Sequence, residues 1–120
     1  MDLNKLAIEV HETAISKGWW DEEMISASQC PMVIPKSIGD QFANFHSEIS
    51  EAWEEYRKGR GLDEVYIVDG KPEGVPIELA DLIIRVLDTC AAYSIDIESA
   101  ITQKMEYNKT RGYRHGGKLA

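Results

Sequence analysis

A chain of 120 residues with 43% apolar and 28% charged residues has the make-up of one soluble globular domain that can bury a core without staples, not that of a disordered chain. Its formal net charge of −8 argues against a module that grips DNA or RNA polymers, which would carry a basic stripe. A nucleotide enzyme stays possible, because divalent cations reverse the local charge of clustered carboxylates.

The start Met1-Asp2-Leu3-Asn4-Lys5 lacks the basic region and apolar run of a signal peptide. The apolar-rich stretch 77–93 contains Glu78, Asp81, Arg85 and Asp88, which excludes a membrane span. A cytoplasmic location is the expectation. Cys30 and Cys90 have no second Cys or His at ligand spacing and read as reduced thiols, with Cys90 in the core.

Leu3, Leu6, Val10, Ala14 and Ile15 recur at helical spacing and predict a first amphipathic helix ending before Gly18. The segment 19–35 reads as irregular, with Pro31 and Pro35 breaking any long helix. A second helix starts near Ser37, an N-cap with Asp40 three residues on, and runs to Arg57 or Lys58, where Gly59 and Gly61 stop it. In the long connection 59–75, Val65-Tyr66-Ile67-Val68 followed by Asp69-Gly70 suits a short strand or hairpin. Pro76 fits the first turn of a third helix reaching about Tyr93, and Asp96 caps a fourth reaching about Arg111. The tail 112–120 is basic and glycine-rich.

The third helix bears on assembly. Leu79, Ala80, Leu82, Ile83, Ile84, Val86, Leu87, Cys90 and Ala91 cover more than half its circumference, leaving a narrow polar strip of Glu78, Asp81, Arg85, Asp88 and Thr89. Such a helix must be covered on several sides. The reading is therefore an all-α four-helix bundle assembling as a homodimer or homotetramer.

The carboxylates bear on chemistry. The second helix carries Phe42, Phe45, Ile49, Ala52, Trp53 and Tyr56 on its apolar face, with Glu48, Glu51 and Glu55 striped along one border. On the third, Glu78 and Asp81 are again three apart. If the two helices pack antiparallel, four oxygen donors converge. Carboxylates crowded on a partly buried surface need a partner, and Mg²⁺ or Mn²⁺ suits an oxygen-only set. Glu-x-x-Glu alone is common on solvated helices, but Asp81 in the sole polar strip of an apolar helix needs a reason. On the fourth helix, Lys104, Asn108 and Arg111 fall on one face beside Tyr107 and can grip phosphate oxygens. Arg114, His115 and Lys118 prolong the basic character. Trp19 and Trp20 read as packing or interface residues, with stacking on a nucleobase as the alternative. His46 reads as structural, and His11 has no assigned role.

Together His46-Ser47-Glu48-Ile49-Ser50-Glu51-Ala52, Lys71-Pro72-Glu73-Gly74 leading into Glu78-Leu79-Ala80-Asp81, and Lys104-x-x-x-Asn108-x-x-Arg111 resemble the MazG-like all-α nucleoside triphosphate pyrophosphohydrolases. The resemblance covers most of the chain and implies a single domain over 1–120. It implies Mg²⁺ ligands, and so catalytic residues, at Glu48, Glu51, Glu78 and Asp81. It further implies phosphate contacts from Lys104, Asn108 and Arg111, and release of a monophosphate and pyrophosphate. Gly112 stands where similar sequences carry proline. The alternatives are a non-catalytic helical interaction protein with a solvated acidic stripe, and a relative specialised for dUTP, dCTP or phosphoribosyl-ATP. A di-iron bundle would need Glu-x-x-His pairs, which the sequence lacks.

Overall fold

The computed structural model describes residues 2–21, 23–27, 30–34 and 37–119, without the side chains of 23–27, 30–34 and 115. Pro35 and the side chains of Cys30, Pro31 and His115 lie outside that description. The elements in chain order are α1 (Leu3–Ser16), β1 (Glu23–Ala27), β2 (Cys30–Ile34), α2 (Ile38–Arg57), β3 (Tyr66–Val68), β4 (Lys71–Glu73), α3 (Val75–Ala92), α4 (Ile97–Thr110) and the short α5 (Arg114–Gly117). The protein is mostly helical, with two small two-stranded sheets.

Local chemistry accounts for most boundaries. The Ser37 hydroxyl accepts from the Asp40 backbone N–H at 3.0 Å and caps α2, and the Asp96 carboxylate accepts from the Ser99 N–H at 3.0 Å and caps α4. Asp69 and Gly70 both have positive φ, 51° and 79°, the turn that closes an antiparallel pair whose register matches Tyr66 with Glu73. The irregular course expected over 19–35 is corrected at 23–27 and 30–34, where β1 and β2 pair antiparallel with Glu23 opposite Ile34 and Ala27 opposite Cys30. Proline excludes a helix interior but not an edge strand, and both strands of a two-stranded ribbon are edges.

The main helices form a row. α3 packs against α2 on one side and α1 on the other, and α4 rests on α1. Gln41 pairs with Thr89 while Glu48 pairs with Arg85, so α2 and α3 run antiparallel. Asn4 meets Asp96 and His11 meets Asp88, so α1 is antiparallel to α3 as well. Cys90 is buried, as expected, and burial pushes its thiol pKa up. No helix among the described residues is long and apolar enough to cross a membrane.

Burial on α2 is inverted from what its apolar face suggests. The residues it buries are Gln41, Glu48, Ala52 and Glu55. Ile38, Phe42, Ile49, Trp53 and Tyr56 are exposed, Trp53 at 58%, and on α3 so are Leu79, Ile83 and Ile84. No large side chain among the described residues is fully buried. The radius of gyration is 18.4 Å, against about 14 Å for a compact domain of this length. One chain leaves its apolar surface uncovered.

Gly74 is the joint between the β3–β4 hairpin and α3. Its φ is 125°, and a Cβ there would strike the backbone carbonyl oxygen of Glu64, so both conformation and space demand glycine. Gly74→Ala is expected to cost about 2–4 kcal/mol of unfolding free energy. Urea denaturation followed by circular dichroism measures this, and an unchanged midpoint would contradict the close approach.

Candidate functional site

The seam between α2 and α3 is polar where a helical bundle is ordinarily apolar. Glu48 is 5% exposed; its Oε1 accepts from Arg85 Nε at 2.6 Å, and its Oε2 is buried without a hydrogen-bond partner. Gln41 lies two turns before it, with Oε1 accepting from the Thr89 hydroxyl at 3.2 Å and Nε2 buried and unpartnered. A carboxylate oxygen kept from water without a donor costs folding free energy on the order of 1–3 kcal/mol. The sequence retains that cost at a point where three acids meet.

Glu48, Glu78 and Asp81 each present one oxygen, and these lie within 4.8 Å of one another. Glu78 also belongs to a second group, with Glu55 and Glu73, of the same span. Glu51, exposed on the next turn of α2, hydrogen-bonds Glu78. Burial, that hydrogen bond and the neighbouring charges raise the Glu78 pKa from 4.5 to about 7. Asp81 is also raised, first by burial and then by Glu48, with Arg85 and Lys71 opposing. Of the four acids expected from the sequence, Glu48, Glu78 and Asp81 converge at one seam, and Glu51 sits exposed beside Glu78.

The connection between α2 and α3 closes one side. Glu55 Oε2 accepts from the Tyr66 hydroxyl at 2.7 Å, the Arg60 guanidinium lies 3.7 Å from the centre of the Tyr66 ring, and Arg60 pairs with Glu64 at 2.9 Å. The bond to Glu55 pushes the tyrosine hydroxyl pKa up, since loss of its proton would set two anions together. Sequence reasoning missed Glu73 and Tyr66 as parts of the site. The one available signal was their segment, which separates the two acidic helices.

On the other side a cavity of about 200 Å³ is lined by Trp19, Asp81, Arg85 and Asp88. Behind it Asp88 accepts from Trp20 Nε1 at 2.9 Å and sits 2.7 Å from His11 Nδ1. Trp20 meets the rings of His11 and Tyr93 edge-on. His11, unassigned from the sequence, thus braces Asp88, a residue of the wall. Its spacing from Asp88 along the chain gave no hint of contact. His46 is exposed.

The basic face of α4 stands apart from the carboxylates. Lys104 Nζ and Arg111 Cζ lie 5.0 and 5.5 Å from the Tyr107 ring centre, with Asn108 exposed beside them. α4 packs on α1 and has no comparable packing on α2 or α3. Among the described residues, neither Lys104 nor Arg111 pairs with the clustered acids.

In comparisons with known proteins, the chain matches no family profile, no curated protein and no solved structure.

The shared proton at Glu78 has a consequence for stability. Its folded pKa, about 7, lies above the ordinary 4.5, so the native state binds the extra proton and stability falls as pH rises from about 4.5 to about 7. Calorimetric melting in EDTA is expected to show that fall, and Glu78→Gln, neutral at every pH, should flatten it. Parallel slopes for the two proteins would disprove the assignment.

Proposed function

We propose that Glu48, Glu51, Glu78 and Asp81 hold Mg²⁺, or Mn²⁺ in its place, and that the protein hydrolyses a nucleoside triphosphate to a monophosphate and pyrophosphate. The observation that carries this reading is the buried, unpartnered Oε2 of Glu48 within a group of three converging carboxylates. Oxygen donors alone, several of them anionic, are the set a hard divalent cation takes. A merely solvated acidic stripe would not bury Glu48 to 5% exposure. That weighs against the second reading, a non-catalytic interaction protein, which the exposed apolar faces favour.

A bound divalent cation would neutralise phosphate oxygens and acidify a nearby water. Glu51 is reachable from solvent and hydrogen-bonded to Glu78, a position suited to accepting a proton from the attacking water. Glu55, held by Tyr66, adds a carboxylate on the flank of Glu78. Lys104 and Arg111 neutralise the phosphate oxygens that remain, and the Asn108 amide donates a hydrogen bond to them. The resemblance to MazG-like pyrophosphohydrolases points the same way and favours cleavage between the α and β phosphates.

The assembly is read as at least a homodimer, with a second copy covering Phe42, Ile49, Trp53 and Tyr56. A second copy also offers a route for an α4 face to reach the carboxylates. Sedimentation should find a dimer or tetramer, and a stable monomer at micromolar concentration would refute it.

The activity is tested on the products. Hydrolysis of deoxynucleoside triphosphates in ¹⁸O-labelled water should release pyrophosphate, with the label showing which phosphorus was attacked. Glu51→Gln should lower kcat by roughly 10²–10⁴-fold, and Asp81→Ala should abolish the upward shift of Tm that Mg²⁺ produces in the parent protein. Release of orthophosphate and a diphosphate, or full turnover in the Asp81 variant, would sink this function.

A further inference from the structure

Arg85 stands at the boundary between the carboxylate group and the cavity beside it. Its Nε donates to Glu48 Oε1 at 2.6 Å, its side chain is 44% exposed, and it lines the cavity together with Trp19, Asp81 and Asp88. Its two terminal nitrogens make no hydrogen bond among the described residues. A guanidinium has five donors in a planar fork, and most of that fork is left over.

The position carries two opposing electrostatic effects. In the absence of other ions, Arg85 neutralises Glu48, which would otherwise be a buried anion among anions. The same positive charge repels a divalent cation arriving at Glu48, Glu78 and Asp81. A polyphosphate entering the cavity reverses the balance, because its oxygens match the fork of the guanidinium and draw it from the carboxylate.

We propose that Arg85 is an exchangeable counterion, holding Glu48 until a divalent cation and a polyphosphate bind together and then pairing with a phosphate oxygen. This rests on the reading that Glu48, Glu78 and Asp81 hold a divalent cation, and it adds Arg85 to the groups that grip the triphosphate. No bond is made or broken. Through Arg85, cation and polyphosphate each favour the other's binding, and the coupling is reciprocal.

The proposal predicts effects of opposite sign on the two ligands. Calorimetric titration is made first with Mn²⁺ alone, then with inorganic tripolyphosphate on the Mn²⁺-saturated protein, which removes any contribution from a base or sugar. In Arg85→Met, Mn²⁺ should bind about tenfold more tightly, because a like charge has gone. Tripolyphosphate should bind about tenfold more weakly, because a charge-assisted pair is lost. R85K retains the charge without the fork; it should bind Mn²⁺ as the parent does and tripolyphosphate several-fold more weakly, and it decides the question if R85M does not fold.

Changes of the same sign in R85M, or no change in either ligand, would overturn the exchange. So would parent-like tripolyphosphate binding in R85K. A parent protein that binds no Mn²⁺ would instead bring down the cation site itself, and with it this inference.

Discussion

The carboxylate of Glu48, taken out of water between α2 and α3, sets the terms for everything around it. A helix pair seals around apolar side chains at little cost, but around an acid only if something supplies charge or donors. Here Arg85 supplies both to one oxygen, and among the described residues no donor reaches the other. The neighbours of that acid are more acids, so the seam is made of groups that repel one another. Such an arrangement weakens the isolated fold and suits a ligand of opposite charge.

Because α2 spends its inner face on the site, its apolar residues point elsewhere. In an ordinary amphipathic helix the apolar stripe faces the core and the charged stripe faces water. α2 does the reverse within one chain, burying Glu48 and Glu55 and exposing Phe42, Ile49 and Trp53. The two properties are one fact about the helix. A face lined with carboxylates cannot also supply an apolar core, so the apolar residues of α2 lie outside it.

Much of this was legible in the residues. Ser37 with Asp40, Asp96 with Ser99, Asp69-Gly70 and the glycines after Arg57 are local signals, set by chain chemistry within a few residues, and the helix ends follow them closely. The convergence of Glu48, Glu51, Glu78 and Asp81 followed from two spacings and an antiparallel packing. Other features were not local. His11 and Trp20 meet Asp88 only because α1 lies along α3, and no periodicity encodes that. The β1–β2 hairpin was missed because proline was weighed only as a helix breaker. That α4, which carries the basic face, packs on α1 and not on the acidic helices is likewise beyond what spacing along one helix can show.

The polar groups on the seam also mark position along it. Gln41, Glu48 and Glu55 recur every two turns of α2, each with its own counterpart: Thr89, then Arg85, then the hydroxyl of Tyr66. An all-leucine seam would tolerate a slide of one helix past the other by a turn, since every apolar knob finds an equivalent hole. These rungs are not interchangeable. A shift by one turn would carry Glu48 away from Arg85 and Gln41 away from its hydroxyl, leaving several polar groups stranded at once. The groups that make the seam expensive therefore act as a vernier, allowing the two helices a single alignment.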